Sequence, residues 1–275
     1  MKRGSAPERL ISIVMLGFVR LAAAVFILSS ALAARPLSVV SLNLAKATDA
    51  AAIEREIRER PRLKDADIYL FQEVAQRRDG EPSVAEQLAS RLRLYALYSP
   101  AKPGVLNQGL AIMSRYPLED RNVRTLKAYN LKFNSRTRLA LAATVRTPDG
   151  PVRITNAHLD TRLNAEDRLQ QLSPVVEDGA RHRMPRIVGG DWNTNDFYWL
   201  ANLIPVPWMR SQVKEIESYM MRHGYQTPVP NRWPTFDHLG MKLDWIYGFG
   251  AKPGAADLFP MRFSDHHALW AQFEI

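Results

Sequence analysis

The stretch 139-LALAATVRTPDGPVRITNAHL-159 carries two strand-like runs, 139–147 and 152–159, with few helix-forming residues between them. A third run, GLAIMS at 109–114, precedes them. Strands that follow one another this closely are best satisfied by antiparallel pairing, because a parallel partner needs a long crossover. Outward from this centre the pattern changes to strands alternating with amphipathic helices. LSVVSLNL (37–44) is β-rich, TDAAAIEREIRER (48–60) has helical spacing, DIYLFQEV (67–74) is again a strand and SVAEQLASRL (83–92) a helix. Downstream, 164–179 reads as helical only as far as Pro174, RIVGGDW (186–192) as a strand ending in a turn, and SQVKEIESYMMRHG (211–224) as a helix. KLDWIYGFG (242–250) and HALWAQFEI (267–275) complete the strands. Consecutive strands in the middle with helices around them predict an α/β fold in which two largely antiparallel sheets pack together under helices.

The 275 residues are 46% hydrophobic and 24% charged, enough for one sizeable core. The N-terminus is a different material. Basic Met1-Lys2-Arg3 is followed by apolar Leu10–Val19, Arg20, a second apolar run at Leu21–Leu28, and Ala31-Leu32-Ala33. This reads as a signal peptide over 1–33 with the catalytic-size domain over 34–275, and Met15 offers a second start. The alternative is a membrane anchor, in which Arg20 near the centre of the span costs about 2.5 to 3.5 kcal/mol. The expected location is therefore secreted or periplasmic, or anchored and facing out of the cytoplasm. The net charge of +9 falls to +6 once a leader with four cations and one acid is removed. A basic surface concentrates anions such as nucleic acid, phospholipid headgroups or inositol phosphates, without choosing among them. The absence of cysteine excludes disulfides, thiolate metal sites and a cysteine nucleophile.

Acidic, amide and imidazole side chains recur where strands end: Asn43, Glu73, His158, Asp191 and Asn193, with Asp244 in KLDWIY and Asp265-His266 before the last strand. Each alone has a bland reading, as a turn former or solvated group. Together they supply hard oxygen ligands, a water-positioning carboxylate and imidazoles, the set that metal-assisted phosphate ester hydrolysis needs. In this order, VVSLNL, LFQEV, GLAIMSRYPL, NAHLDT, GGDWN, KLDWIY and SDHHAL resemble the endonuclease/exonuclease/phosphatase superfamily, over residues 37–275.

That resemblance implies a four-layered sandwich of two mostly antiparallel mixed sheets packed face to face and flanked by helices. It implies a metal-dependent phosphoric ester hydrolase, expected as an exported phosphodiesterase on DNA or a phospholipid headgroup. The alternatives are an inositol-phosphate-type phosphomonoesterase and a non-catalytic binding relative; the latter is disfavoured because no expected acid or histidine is replaced. Glu73 is implied as the principal Mg2+ ligand, with Asn43 and Asp265 in support and Mn2+ able to substitute. Asp191 is implied to orient and deprotonate the attacking water, Asn193 to hold that water or a phosphate oxygen, and His266 to stabilise the charge developing on the phosphate. The resemblance further implies that Asp244 orients His266 and that His158 assists the leaving oxygen. Arg136 matches a phosphate-contacting arginine, with a solvated strand arginine as its alternative. His267 is expected to be structural because side chains alternate along a strand, and Arg168 and Gln171 likewise. The resemblance puts His158 where abasic-site endonucleases carry asparagine, which disfavours abasic-site repair. The partner implied is the substrate alone, and the chain is expected to be monomeric. Substrate choice is expected in loops 99–109, 127–134 and 195–210. The last of these is read as a covering helix and loop, with Trp199 and Trp208 as lipid anchors the alternative.

Overall fold

The computed structural model describes residues 35–275 apart from 103, 105, 107, 133, 134 and 208–210. The leader at 1–33 and Trp208 lie outside the described residues. By internal contacts the chain divides into Met1–Arg35 and Pro36–Ile275. Among the described residues no helix is long and apolar enough to cross a membrane.

The second unit is built on two sheets. One has six strands in the order β12-β13-β1-β2-β4-β3, where β1 is Leu37–Asn43, β2 Ile68–Val74, β3 Tyr95–Ser99, β4 Gly109–Ser114, β12 Lys252–Phe259 and β13 Ala268–Glu274. The other has five, β11-β8-β7-β6-β5, where β5 is Leu118–Thr125, β6 Leu139–Thr147, β7 Gly150–Ala157, β8 Arg186–Asp191 and β11 Asp244–Phe249. Each sheet holds a single parallel pair, β1 with β2 and β7 with β8, and is otherwise antiparallel. The stretch 139–159 folds as the β6–β7 hairpin, as its spacing predicts.

Strand alternation explains the layers. Val39, Leu70, Ile112, Leu141, Ile154, Ile187, Ile246 and Leu269 meet between the sheets. On the outer face of the six-stranded sheet, Val40, Leu42, Phe71 and Trp270 pack with Ile53 and Ile57 of α1 (Ala50–Arg58), Leu63 of α2 (Pro61–Lys64) and Leu88 of α3 (Val84–Leu92). On the outer face of the other, Val188, Trp245 and Tyr247 pack with Leu172, Val175 and Val176 of α4 (Ala165–Ala180) and Ile216 and Met220 of α5 (Gln212–Arg222). The result is the four-layered α/β sandwich. Helix starts carry their expected signals: the Asp49 side chain accepts from Ala51 and Ala52, and Ser83 forms a capping box with Glu86.

Two local readings need correction. α4 does not stop at Pro174 but runs through it; burial of Leu172, Val175 and Val176 on successive turns holds the helix together although proline removes a backbone donor. Among the described residues of this segment, 195–207, there is no covering helix. They fold as a separate two-stranded hairpin, β9 (Phe197–Leu200) and β10 (Ile204–Pro207), whose prolines sit in a strand with only one partner, where a missing N–H is tolerated.

Candidate active site

Strand ends bring the polar residues together. β1 and β2 run parallel in one sheet and β7 and β8 in the other, and the loops at these ends open on one cavity of ≈ 600 Å³. Asn43, Glu73, Arg136, His158, Asp191, Asn193, Asp265 and His266 all line it, while Asp244 stands behind His266. Every residue singled out in the sequence for chemistry is thus in one place.

The backbone is shaped for this. Glu73 has φ +47° at a β-bulge, where β2 pairs Phe71 with Ala111 but Val74 with Gly109, so one extra residue is accommodated and the Glu73 side chain is turned to the cavity. Asn193 has φ +52°. Left-handed backbone at a non-glycine residue is strained, and such strain concentrates at functional sites. Gly190 lets β7 and β8 close up: a Cβ there would lie 2.0 Å from the Ala157 carbonyl oxygen, so a side chain would push His158 away from Asp191.

Asp191 is the hub. Its Oδ2 lies 3.3 Å from His158 Nε2 and 3.9 Å from His266 Nε2 and accepts from Asn43 Nδ2 at 3.0 Å. Its Oδ1 accepts from the Asn193 backbone N–H at 2.9 Å, while Asn193 Nδ2 donates to Leu159 O at 2.9 Å. Burial alone would raise this carboxyl, but the two imidazoles and the Asn43 amide overrule it and hold Asp191 below the usual carboxylate range. His266 is gripped from behind, its Nδ1 2.9 Å from Asp244 Oδ2 and its ring 4.8 Å from that of Phe236. Burial opposes charge on this imidazole, yet Asp244 and Asp191 outweigh it and raise it to about 10. Asp244 in turn is pushed up by burial and by Asp191, against the pull of His266. Asp244 and Asp191 thus favour the charged form of His266, and His266 in turn opposes the rise of Asp244.

His158 behaves in the opposite way. Burial and the neighbouring Arg138 guanidinium both lower it, so it is neutral. Arg138 Nη1 reaches both ring nitrogens, at 3.1 and 2.8 Å. The Asp191 carboxylate beside Nε2 can only accept, which puts the ring proton on Nε2 and leaves Nδ1 to accept from Arg138. A neutral imidazole gives Asp191 a hydrogen bond but no full charge, so the balancing cation at Asp191 is His266.

Arg138 was not legible as part of the site. Its Nε donates to Asp160 Oδ1 at 2.9 Å with both side chains buried, and Gln171 Nε2 donates to the other oxygen of Asp160 at 2.9 Å. Arg168, also buried, donates to the carbonyls of Asp160 and Trp192, each at 2.6 Å, tying the His158 loop to the Asp191 turn. Arg168 and Gln171 are thus structural braces, and Arg138 is the one that reaches the site. Arg138→Met leaves the Asp160 carboxylate buried without its cation and is expected to destabilise the fold by about 3 to 5 kcal/mol. A Tm equal to that of the wild-type protein in thermal unfolding would show that Asp160 does not depend on it.

Lys46 and Arg162 also line the cavity and were not singled out in the sequence, where each is a lone cation in a polar stretch. Glu73 stands between two cations, Lys46 Nζ at 3.5 Å from Oε2 and Arg136 Nη1 at 3.4 Å from Oε1. Arg136 thus faces the site rather than solvent alone. Trp199 also faces inward: it lines the cavity, sits edge-on to Phe197 and donates from Nε1 to Asn195 Oδ1 at 3.3 Å, so it is no outward lipid anchor. His267 turns away, as strand alternation predicts, with Nε2 2.6 Å from Asp237 Oδ1.

Two oxygen-rich sets could be considered for a metal. Among the described residues, Asp191, Asp244 and His266 bring one ligand atom each within 4.8 Å of one another. Those atoms are already engaged with each other, since His266 Nδ1 is bonded to Asp244 and Nε2 faces Asp191. Glu73 and Asp265 lie outside that cluster but on the same cavity, and with the Asn43 amide they offer only hard oxygens. The cations drawn to Glu73 mark its carboxylate as a seat for positive charge. This donor set fits Mg2+.

A sequence profile described as the Endonuclease/Exonuclease/phosphatase family matches residues 40–266. No curated protein matches the chain. Similar solved structures include an endonuclease/exonuclease/phosphatase from Beutenbergia cavernae DSM 12333, 20% identical, covering 88% of this chain and 72% of that one at a TM-score of 0.66. A family protein from Leptotrichia buccalis C-1013-b is 17% identical, covering 87% of this chain and all of the other at 0.63. The human Nocturnin catalytic domain, solved with bound sulfate, is 22% identical, covering 87% and 93% at 0.61. At these identities the likeness is one of fold.

Proposed function

We propose, on the premise that the chain belongs to the endonuclease/exonuclease/phosphatase family and so is a metal-dependent phosphoric ester hydrolase, that it works as an exported, Mg2+-dependent phosphodiesterase on DNA or a phospholipid headgroup. The observation that carries this reading is the pairing, in one cavity, of an ionised Asp191 with an imidazolium His266. One can take a proton from water and the other can meet the charge that grows on phosphorus-bound oxygen.

In this mechanism Glu73, Asn43 and Asp265 hold Mg2+, which when bound polarises the phosphate. Asp191 orients the attacking water and takes its proton, and Asn193, fixed by its bonds to Asp191 and Leu159, holds that water or a phosphate oxygen. His266 donates from Nε2 to the phosphate while Asp244 fixes the ring from Nδ1. Arg136 binds a phosphate oxygen. His158, kept neutral by burial and by the adjacent Arg138, assists the leaving oxygen by turning to it the single Nε2–H that otherwise faces Asp191. A diester is favoured over a monoester because apolar walls of Phe197, Trp199 and Leu239 flank the polar cluster, giving a second ester group a place to lie.

The test is hydrolysis of plasmid DNA, sphingomyelin vesicles and an inositol polyphosphate, side by side in Mg2+. Cleavage of DNA or lipid supports the proposal, and release of inorganic phosphate alone moves the protein to the phosphomonoesterase reading. Binding without turnover of any substrate, a chromogenic phosphodiester included, would make it a non-catalytic relative. Export predicts that N-terminal sequencing of protein from the extracytoplasmic fraction begins at or near Ala34, whereas a membrane-bound product that retains Arg20 would support the anchor. We further propose that the enzyme acts as a monomer.

A further inference from the structure

A second and larger cavity, of ≈ 970 Å³, lies beside the catalytic one and shares Asn195, Phe197, Leu239 and Met241 with it. Nothing in the mechanism above uses it. Lys242 lines it although the residue is only 5% exposed. Its Nζ donates to the Pro230 carbonyl at 3.1 Å and stands 4.2 Å from the centre of the Trp245 ring. A buried ammonium is costly unless it is well paired, and one carbonyl with one aromatic face is sparse pairing for three donors. Burial pushes this lysine down to about 7, while Asp244 and Glu217 work to hold it up.

The other cations of the cavity are Lys214 and Arg232, both exposed. Two acids, Asp196 and Glu217, line it as well and balance Lys214 and Arg232, so the excess positive charge of the cavity is that of protonated Lys242. The first turn of α5 adds to this: Ser211 and Val213 line the cavity, and the Ser211 side chain caps none of the helix N–H groups. Phe197 and Trp233 provide half-buried aromatic surface in the same walls.

We propose that this cavity is a subsite for the nucleotide adjoining the scissile phosphate of a nucleic-acid strand, with its phosphate at Lys214, Arg232 and Lys242 and its base against Phe197 and Trp233. The inference rests on the phosphodiesterase reading and narrows it. A strand that places one phosphate between Asp191 and His266 must carry its next phosphate onward, and the shared wall makes this cavity the adjoining space. Cations grip the backbone and aromatic faces stack on bases, the combination that single-stranded nucleic acid requires. A choline headgroup, itself a cation, would meet Lys214 and Arg232.

The experiment compares the wild-type protein with the Lys214→Gln/Arg232→Gln double variant, both positions being exposed, on two substrates in Mg2+. One is a 5′-phosphorylated thymidine hexamer; the other is bis(4-nitrophenyl) phosphate, which has no second phosphate. KM for the hexamer should rise about tenfold with kcat unchanged, and the slope of log affinity against log salt should fall by about 0.7, for the one phosphate no longer neutralised. Turnover of the small diester should stay as in the wild type. Equal losses on both substrates, or none on the hexamer, would overturn the subsite. Binding of a fluorescent hexamer in chelator separates the subsite from the catalytic reading. If the hexamer is not cleaved but its binding is weakened by the double substitution, the subsite stands and the catalytic reading fails; if wild type and variant bind it equally, or neither binds it, the subsite is wrong.

Discussion

Hydrolysis by the His266→Ala protein is expected to be slower by on the order of 10² to 10⁴, with Asp191→Ala falling in the same range and His267→Ala losing far less. The two adjacent histidines make this a sharp comparison, because they share a backbone and differ only in the side they face. His266 is set between Asp244 and Asp191, braced by Phe236, and its charge is balanced by two buried carboxylates. Removing it takes away the group that meets the phosphate and leaves Asp191 and Asp244 buried without the imidazole between them. His267 holds Asp237 at 2.6 Å, and its backbone N–H donates to Thr235 O at 2.8 Å, away from the cavity. Steady-state rates with a chromogenic phosphodiester, read alongside circular dichroism to confirm folding, decide the matter. If both histidine variants lost activity equally, the assignment of His266 as the catalytic member of the pair would be wrong.

Most of the architecture is legible in the chain because it is written in local periodicity. Strand alternation placed Val39 between the sheets and Val40 under the helices, and Asp49 and Ser83 announced helix starts. The failures share a cause, which is that long-range burial overrode a local signal. Pro174 marks a helix end by backbone chemistry, yet the apolar face of α4 carries the helix six residues further. The prolines of 205–207 look like loop punctuation, but β10 is paired on one side only and tolerates them. In the site, acids, amides and histidines at strand ends were readable because those residue types are unusual there as a set. Arg138 was not, since an arginine near the start of a strand is indistinguishable in sequence from a solvated one; only the fold reveals Asp160 on one side of it and His158 on the other. Lys46 and Arg162 escaped notice for the same reason.

Activity is expected to vanish in chelator and to return with Mg2+ or Mn2+, while Zn2+ restores it poorly. The argument runs from the donor atoms. Asn43, Glu73 and Asp265 present amide and carboxylate oxygens to the cavity, and no cysteine exists anywhere in the chain. Hard oxygens suit a small, hard dication that keeps several of its waters, whereas zinc prefers nitrogen and sulfur at lower coordination number. The imidazoles that zinc would seek are taken: His266 Nδ1 by Asp244 and the His158 ring by Arg138. Glu73 is the residue on which this prediction turns, because it is the carboxylate around which Lys46 and Arg136 gather. Glu73→Gln keeps the shape but halves the acceptor oxygens and removes the charge, so far more Mg2+ should be needed for half-maximal rate. Loss of Mg2+ affinity should also appear without turnover, as a smaller rise in Tm on adding Mg2+ than the wild-type protein gives, since the stabilisation by a bound ligand shrinks as its Kd rises. A Glu73→Gln protein with an unchanged Mg2+ requirement and an unchanged thermal shift would move the metal away from Glu73. Asp191, another carboxylate on this cavity and the one bonded to Asn43, would then be the next ligand to test.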